Sequence, residues 1–212
     1  MRQDLAAGTV SFCQERYILD AARRFDLHVD NAWADIPVPL QLARDRRSAT
    51  PDDAERAEYA EVCGVMGGVI THIATFSRAD ACFAAQLCAS APPSQVRHRL
   101  QRRVLGYLAR TASLRVTYRR DAGAAVRMAY IGGEHDGAEA TAPYMATDAD
   151  HGTGRSYTGW LVMLAAAAAG WGVRAQPQPS LSSTEAELYG LSTSVCELLI
   201  FANLLEEVGY SI

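Results

Sequence analysis

The stretch LSSTEAELYGLS, residues 181–192, decides how the C-terminal half of the chain is read. A run of hydroxyls leads into two carboxylates, Glu185 and Glu187, and an apolar repeat follows. Ser182-x-x-Glu185 fits a capping box, in which a hydroxyl and a carboxylate satisfy backbone donors left open at a helix start. Beyond it Leu188, Leu191, Val195, Leu198, Leu199, Ala202, Leu205 and Val208 keep a helical period, and Gly209 suits the position after a helix end. The spacing therefore predicts a long helix over 182–208. Residues two apart on a helix point about 200° apart, so Glu185 and Glu187 cannot share one ligand. Glu187 has two readings. Facing the preceding strands, near positions 191 and 194–195, it must be paired, protonated or metal-bound to offset its desolvation. Facing solvent, it is a glutamate favoured by the helix dipole.

Working outward, the segment before this helix reads as short strands: VRMAYI (126–131), APYMATDAD (142–150), Tyr157 to Leu164 and Trp171 to Arg174, with AAAAAG as a turn and QPQPS as a break. Strand periodicity puts Asp148 and Asp150 on one face and Ala149 on the other. Two carboxylates at a strand end, followed by the glycine-bearing HGTG, suit a hard divalent cation such as magnesium. An ordinary acidic loop has the same composition.

The N-terminal half has a different character. A strand-like piece and an amphipathic helix are expected over 9–27, with Tyr17, Ile18, Ala21, Ala22 and Phe25 at helical spacing. Prolines 37 and 39 make an extended linker, and the charged residues 41–54 read as loop. Helices follow over 54–75 and 79–90; Gly64, Gly67 and Gly68 in the first imply close approach to a neighbour. Between Ser94 and Arg120 there are eight arginines and no acidic residue. Val96, Leu100, Val104, Leu105 and Leu108 form the stripe for burial, while Arg97, Arg99, Arg102, Arg103 and Arg110 point elsewhere. These arginines are either a solvated face or a cradle for a phosphate backbone.

Bulk properties narrow the field less. The chain has 212 residues, a net charge of −4, and 20 basic residues that are all arginine, a bias that fits genomic base composition. Five cysteines without a CxxC pair argue for reduced thiols. No uninterrupted apolar run reaches membrane-spanning length, the longest being WLVMLAAAAAGWGV, and the N-terminus lacks a signal-peptide pattern. The expectation is an intracellular protein with no membrane association.

Several of these segments together resemble the C-terminal part of the polyprotein of copia-type LTR retrotransposons. QERYILDAARRF (14–25) is similar to the family's Q-x-x-Y-I-x-x-x-x-x-R-F segment. YAEVCGVMGGVITHIATFSRADACFAAQL (59–87) is a looser match, with SRAD where the family has T-R-P-D and His72 where an aromatic is usual. HRLQRRVLGYLARTASLRVTY (98–118) resembles the H-x-x-A-x-x-R-V-L-R-Y-L-x-G-T segment closely. TDADHGTGRSYTGW (147–160) looks like a shortened S/T-D-A-D…R-S-T-S-G-Y motif. WGVRAQPQPSLSSTEAELYGLS matches W-x-x-K-x-Q-x-x-x-x-L-S-S-T-E-A-E-Y-x-A-L-S without a gap, including Trp171 and Gln176.

The resemblance implies an α+β chain. Residues 1–120 would be a mostly helical, thumb- and connection-like part of a reverse transcriptase, holding duplex nucleic acid through Arg97, Arg99, Arg102, Arg103 and Arg110. Residues 121–212 would be an incomplete RNase H-like unit of three antiparallel strands and a long helix. In that unit Asp148 and Glu187 would ligate Mg2+ with Asp150 assisting, and the complete protein would hydrolyse RNA in RNA–DNA hybrids. Glu185 would cap. A second register makes AYIGGEHDG (129–137) the first acidic strand, with Gly132 at the aspartate position; TDAD retains the motif and leads directly into RSYTGW. The family's further aspartates, one in a C-D-N-type motif, do not occur before Ile212, and the aromatic-x-Asp-Asp polymerase turn is absent. Expected consequences are weak magnesium binding, little or no activity of this chain alone, and an uncovered edge on the first strand. Marginal stability, self-association or reliance on the remaining polyprotein segments would follow, and a non-catalytic nucleic-acid-binding remnant is the alternative.

Overall fold

A computed structural model describes residues 1–27, 36–119, 129–130, 133–134, 144–151, 156–164 and 167–209. The architecture is α+β, and the chain forms two compact units. One is the contiguous segment Cys13–Arg115; the other joins Met1–Phe12 to Val116–Ile212. The division is thus not a single cut near residue 121, because the first residues pair with a strand that follows the helical segment.

The helical unit contains α1 (Glu15–Arg24), α2 (Leu40–Ser48), α3 (Asp53–Phe76), a short 3-10 turn (Ala79–Ala81), α4 (Cys82–Ala89) and α5 (Gln95–Arg110). Side-chain caps fix two of the starts. Asp52 accepts from the Glu55 amide at 2.8 Å and Ser94 from the Arg97 amide at 3.1 Å. Ile18, Met66, Ile70, Ile73, Leu100, Val104, Leu105 and Leu108 are fully buried and make the core. Residues 41–48, expected as loop, are helical instead. Gln, Leu, Ala and Arg are good helix formers, and α2 packs against α5. Of the three α3 glycines, only Gly67 meets a neighbour: a Cβ there would lie 2.9 Å from Gln101 Nε2.

A polar cluster closes this core. Arg78, 2 % exposed, donates to both carboxylate oxygens of Asp80 (2.8 and 2.7 Å), to the Thr111 carbonyl (3.0 Å) and to Thr111 Oγ1 (2.6 Å). Tyr107 Oη donates to the same carboxylate at 2.6 Å. Burial alone would raise the Asp80 pKa, but these hydrogen bonds and the guanidinium charge together hold it below its ordinary value.

In the second unit, β1 (Arg2–Asp4), β2 (Thr9–Phe12) and β3 (Val116–Arg119) form an antiparallel sheet in that order. β4 (Ala129–Tyr130) and β5 (Gly133–Glu134) make a two-residue pair. The strand expected over 126–131 is described only at 129–130, and position 132 of the alternative acidic strand lies outside the described residues. A second antiparallel sheet has the order β6 (Tyr144–Asp150), β7 (Tyr157–Leu164), β8 (Ala167–Ala175). The alanine run expected as a turn is strand from Ala167 onward. Further along the same strand a small residue is required: a Cβ on Gly172 would lie 2.7 Å from the Trp160 ring. The long helix α6 (Ser183–Glu207) then packs on β6 and β7, and Gly209 ends it with φ 82° and its N–H donating to the Glu206 carbonyl.

Candidate functional site

The register of β6 against β7 fixes what each face carries. Asp148 lies opposite Gly159, Ala149 opposite Thr158, and Thr147 opposite Trp160. α6 sits on the face bearing Thr147 and Ala149. Thr147 Oγ1 and Ser194 Oγ are 2.8 Å apart, and a Cβ on Gly190 would lie 3.2 Å from the Ala149 Cβ. The helix contacts the strands through Ala186, Gly190 and Ser194, all buried. These small residues let backbones approach closely, whereas Leu188, Leu191, Val195 and Leu199 all face outward. The face toward the strands is therefore not the one the leucine period suggests.

Of the two settings open to Glu187, the exposed one is found, beside the packed stripe and outside it. Asp148 and Asp150 are exposed too, and strand alternation turns both to the sheet face opposite α6. Among the described residues no group of three or more His, Cys, Asp or Glu is placed to hold a metal ion.

Glu185 is involved in capping, with one difference from the expected geometry. Ser182 Oγ accepts from the Glu185 amide at 3.1 Å, while the Glu185 carboxylate accepts from the Leu181 amide at 2.6 Å, one residue before the cap. Gln176 is a buried tie that composition alone does not reveal. Its Nε2 donates to Thr158 Oγ1 (3.1 Å) and to the Ala186 carbonyl (3.0 Å), and its Oε1 accepts from Ser180 Oγ (2.6 Å). It joins β7 to the start of α6, which explains why its spacing to SSTEAE matters.

The arginines of α5 separate into two groups. Arg97 donates to the carbonyls of Ala91 (2.7 Å) and Cys63 (3.5 Å), and Arg102 to those of Phe25 (3.0 Å) and Asp26 (3.4 Å). These two brace the helical unit. Arg99 and Arg110 are exposed, and Arg103 is half-buried with its Nε making no hydrogen bond. His98, next to Arg99, has its pKa lowered, first by burial and then by the Arg102 charge. Position 120 lies outside the described residues.

Among the described residues two helices are long and apolar enough, by length and composition, to cross a membrane: α3 and α6, the latter with a mean hydropathy of 1.5 over its best window. Neither is an uninterrupted apolar run: glycine, threonine and glutamate interrupt both, and serine interrupts α6 as well. No protein-family model, curated protein or solved structure matches this chain.

Proposed function

We propose that the chain is the distal region of a copia-type reverse transcriptase joined to the opening of an RNase H-like unit, and that its own activity is to bind duplex nucleic acid. Hydrolysis of RNA in hybrids would belong to the complete protein. The observation that carries this reading is the order of elements: three antiparallel strands, β6-β7-β8, followed directly by a capped helix lying on them. TDAD sits on the first strand and Glu187 in the first turns of the helix, in the order the resemblance implies. The binding surface is the outward part of α5, which carries Arg99, Arg103 and Arg110. Asp148 and Asp150 lie on the sheet face away from the helix that bears Glu187.

The reading is tested by binding of an RNA–DNA hybrid over a range of salt concentrations. Each phosphate contact contributes about 0.9 to the slope of log affinity against log salt on duplex DNA. The variant with Arg99, Arg103 and Arg110 all changed to Ala is expected to lose about 2–3 from that slope. An unchanged slope would refute the surface. In a magnesium cleavage assay of the wild-type chain and Glu187→Gln, equal cleavage by both would remove Glu187 from any mechanism.

A further inference from the structure

Between α2 and α5, within the helical unit, lies a cavity of about 390 Å³. α5 supplies Arg99, Arg102 and Arg103 to its wall, and α2 supplies Gln41, Leu42 and Asp45 with Pro39 before them. The volume is in the range of small-ligand sites. Its cations are unevenly committed. Arg102 is anchored by the Phe25 and Asp26 carbonyls, which fix its guanidinium without neutralising it. Arg103 has a solvent-shielded Nε with no acceptor, and no ion pair joins Arg99 or Arg103 to a carboxylate among the described residues. The one carboxylate in the wall, Asp45, accepts from Gln41 Nε2 at 2.8 Å on its own helix.

Three guanidiniums against one carboxylate leave two net positive charges in one concavity. Guanidinium donors in a fixed fork favour planar or tetrahedral oxyanions. A phosphodiester brings one negative charge, whereas a phosphate monoester brings about 1.5 to 2 near neutral pH. The lowered pKa of His98 on the same helix fits a positive local field, after the effect of its burial. We propose that this cavity binds a phosphate monoester. Two sources share that chemistry: the phosphorylated end of a nucleic-acid strand, and a small phosphorylated molecule. The first rests on the nucleic-acid reading above; the second does not.

The test uses the full chain. Inorganic phosphate and dimethyl phosphate are titrated separately by calorimetry, and duplexes with a 5′-phosphate or a 5′-hydroxyl are compared by anisotropy at one salt concentration. Binding of inorganic phosphate with none of dimethyl phosphate is expected. If strand ends are the source, the 5′-phosphorylated duplex binds about tenfold more tightly, equivalent to about 1.4 kcal/mol. Arg99→Ala with Arg103→Ala is expected to abolish phosphate binding and that preference, with circular dichroism checking the fold. Asp45→Asn is expected to tighten phosphate binding several-fold by removing the opposing charge. Phosphate binding without an end preference supports the small-molecule source. Phosphate binding without any duplex binding refutes the nucleic-acid reading and leaves the cavity standing. Failure of inorganic phosphate to bind, with equal affinity for both duplexes, overturns the cavity proposal whether or not duplex binding persists.

Discussion

α5 and α6 are both long, capped at the start by a serine, and folded against neighbours, yet they use their apolar residues in opposite ways. α5 buries Leu100, Val104, Leu105 and Leu108 completely and turns arginines outward. α6 buries Ala186, Gly190 and Ser194, while Leu188, Leu199 and Ile200 are 62 %, 57 % and 65 % exposed. Burying a leucine or isoleucine side chain is worth about 1.5–3 kcal/mol, so α6 leaves most of its stabilising capacity unused. The helical unit carries the features of a self-sufficient core, including a satisfied buried polar cluster. In the sheet-bearing unit β6 is an edge strand among the described residues, and its helix presents a broad apolar surface, the kind of patch that marks an interaction site.

The largest expected effect sharpens the first half of this contrast. Arg78→Ala removes four hydrogen bonds and leaves Asp80 without its cation. Removing one partner of a buried pair costs about 3–5 kcal/mol, a value reduced here toward the lower end by the partial exposure of Asp80. Urea unfolding of the variant should show this loss, and Leu199→Ser on the open face of α6 should change stability by about 0.5 kcal/mol or less. Comparable losses from both would break the comparison.

The same cluster gives a pH dependence. Because the folded state holds the Asp80 pKa below its ordinary value of about 3.9, the unfolded chain takes up the proton first as pH falls. The stabilisation is therefore complete above that ordinary value and is lost below it, as pH drops through the lowered folded value. Asp80→Asn should flatten the acid side of the stability profile; an unchanged acid slope would show that other carboxylates dominate.

Next in size is Gly172→Ala. The added Cβ would fall 2.7 Å from the Trp160 ring, and overpacking of this kind costs about 1–3 kcal/mol. Thermal unfolding measures it. A neutral result would mean that the Trp160 ring shifts freely and that the sheet-bearing unit is as loosely packed beneath α6 as above it.

Much of this was legible in the sequence, for identifiable reasons. Strand Tyr157–Leu164, both long helices and the Ser182 cap follow from local patterning and cap chemistry. What was not legible depended on partners. α2 lacks an apolar period of its own and is helical against α5. The Ala167–Gly170 part of β8 has no strand pattern of its own and is extended because it pairs with β7. For the candidate site, the alternation of Asp148 and Asp150 is a local property and could be read. Which face of β6 receives α6 could not, because leucine periodicity points to the largest apolar residues while the sheet accepts the smallest. Arg97 and Arg102 were counted with the outward cations for a similar reason: a helical wheel shows direction but not a nearby carbonyl.

The smallest expected effect separates the two glutamates that opened the sequence. Ser182→Ala removes the acceptor for the Glu185 amide and should cost about 1 kcal/mol. Glu187→Ala removes an exposed carboxylate with no hydrogen bond or ion pair described, so only its interaction with the helix dipole is lost, about 0.3–1 kcal/mol at low ionic strength and less in salt. The decisive measurement is the salt dependence of each loss. A cap hydrogen bond survives added salt, whereas a dipole interaction is screened. If Glu187→Ala instead stabilised the chain by more than about 0.5 kcal/mol, the carboxylate would be held at a stability cost. Such a cost, retained on a helix whose neighbouring turn is optimised by Ser182 and Glu185, would point to selection for a ligand at Glu187 rather than for the helix itself.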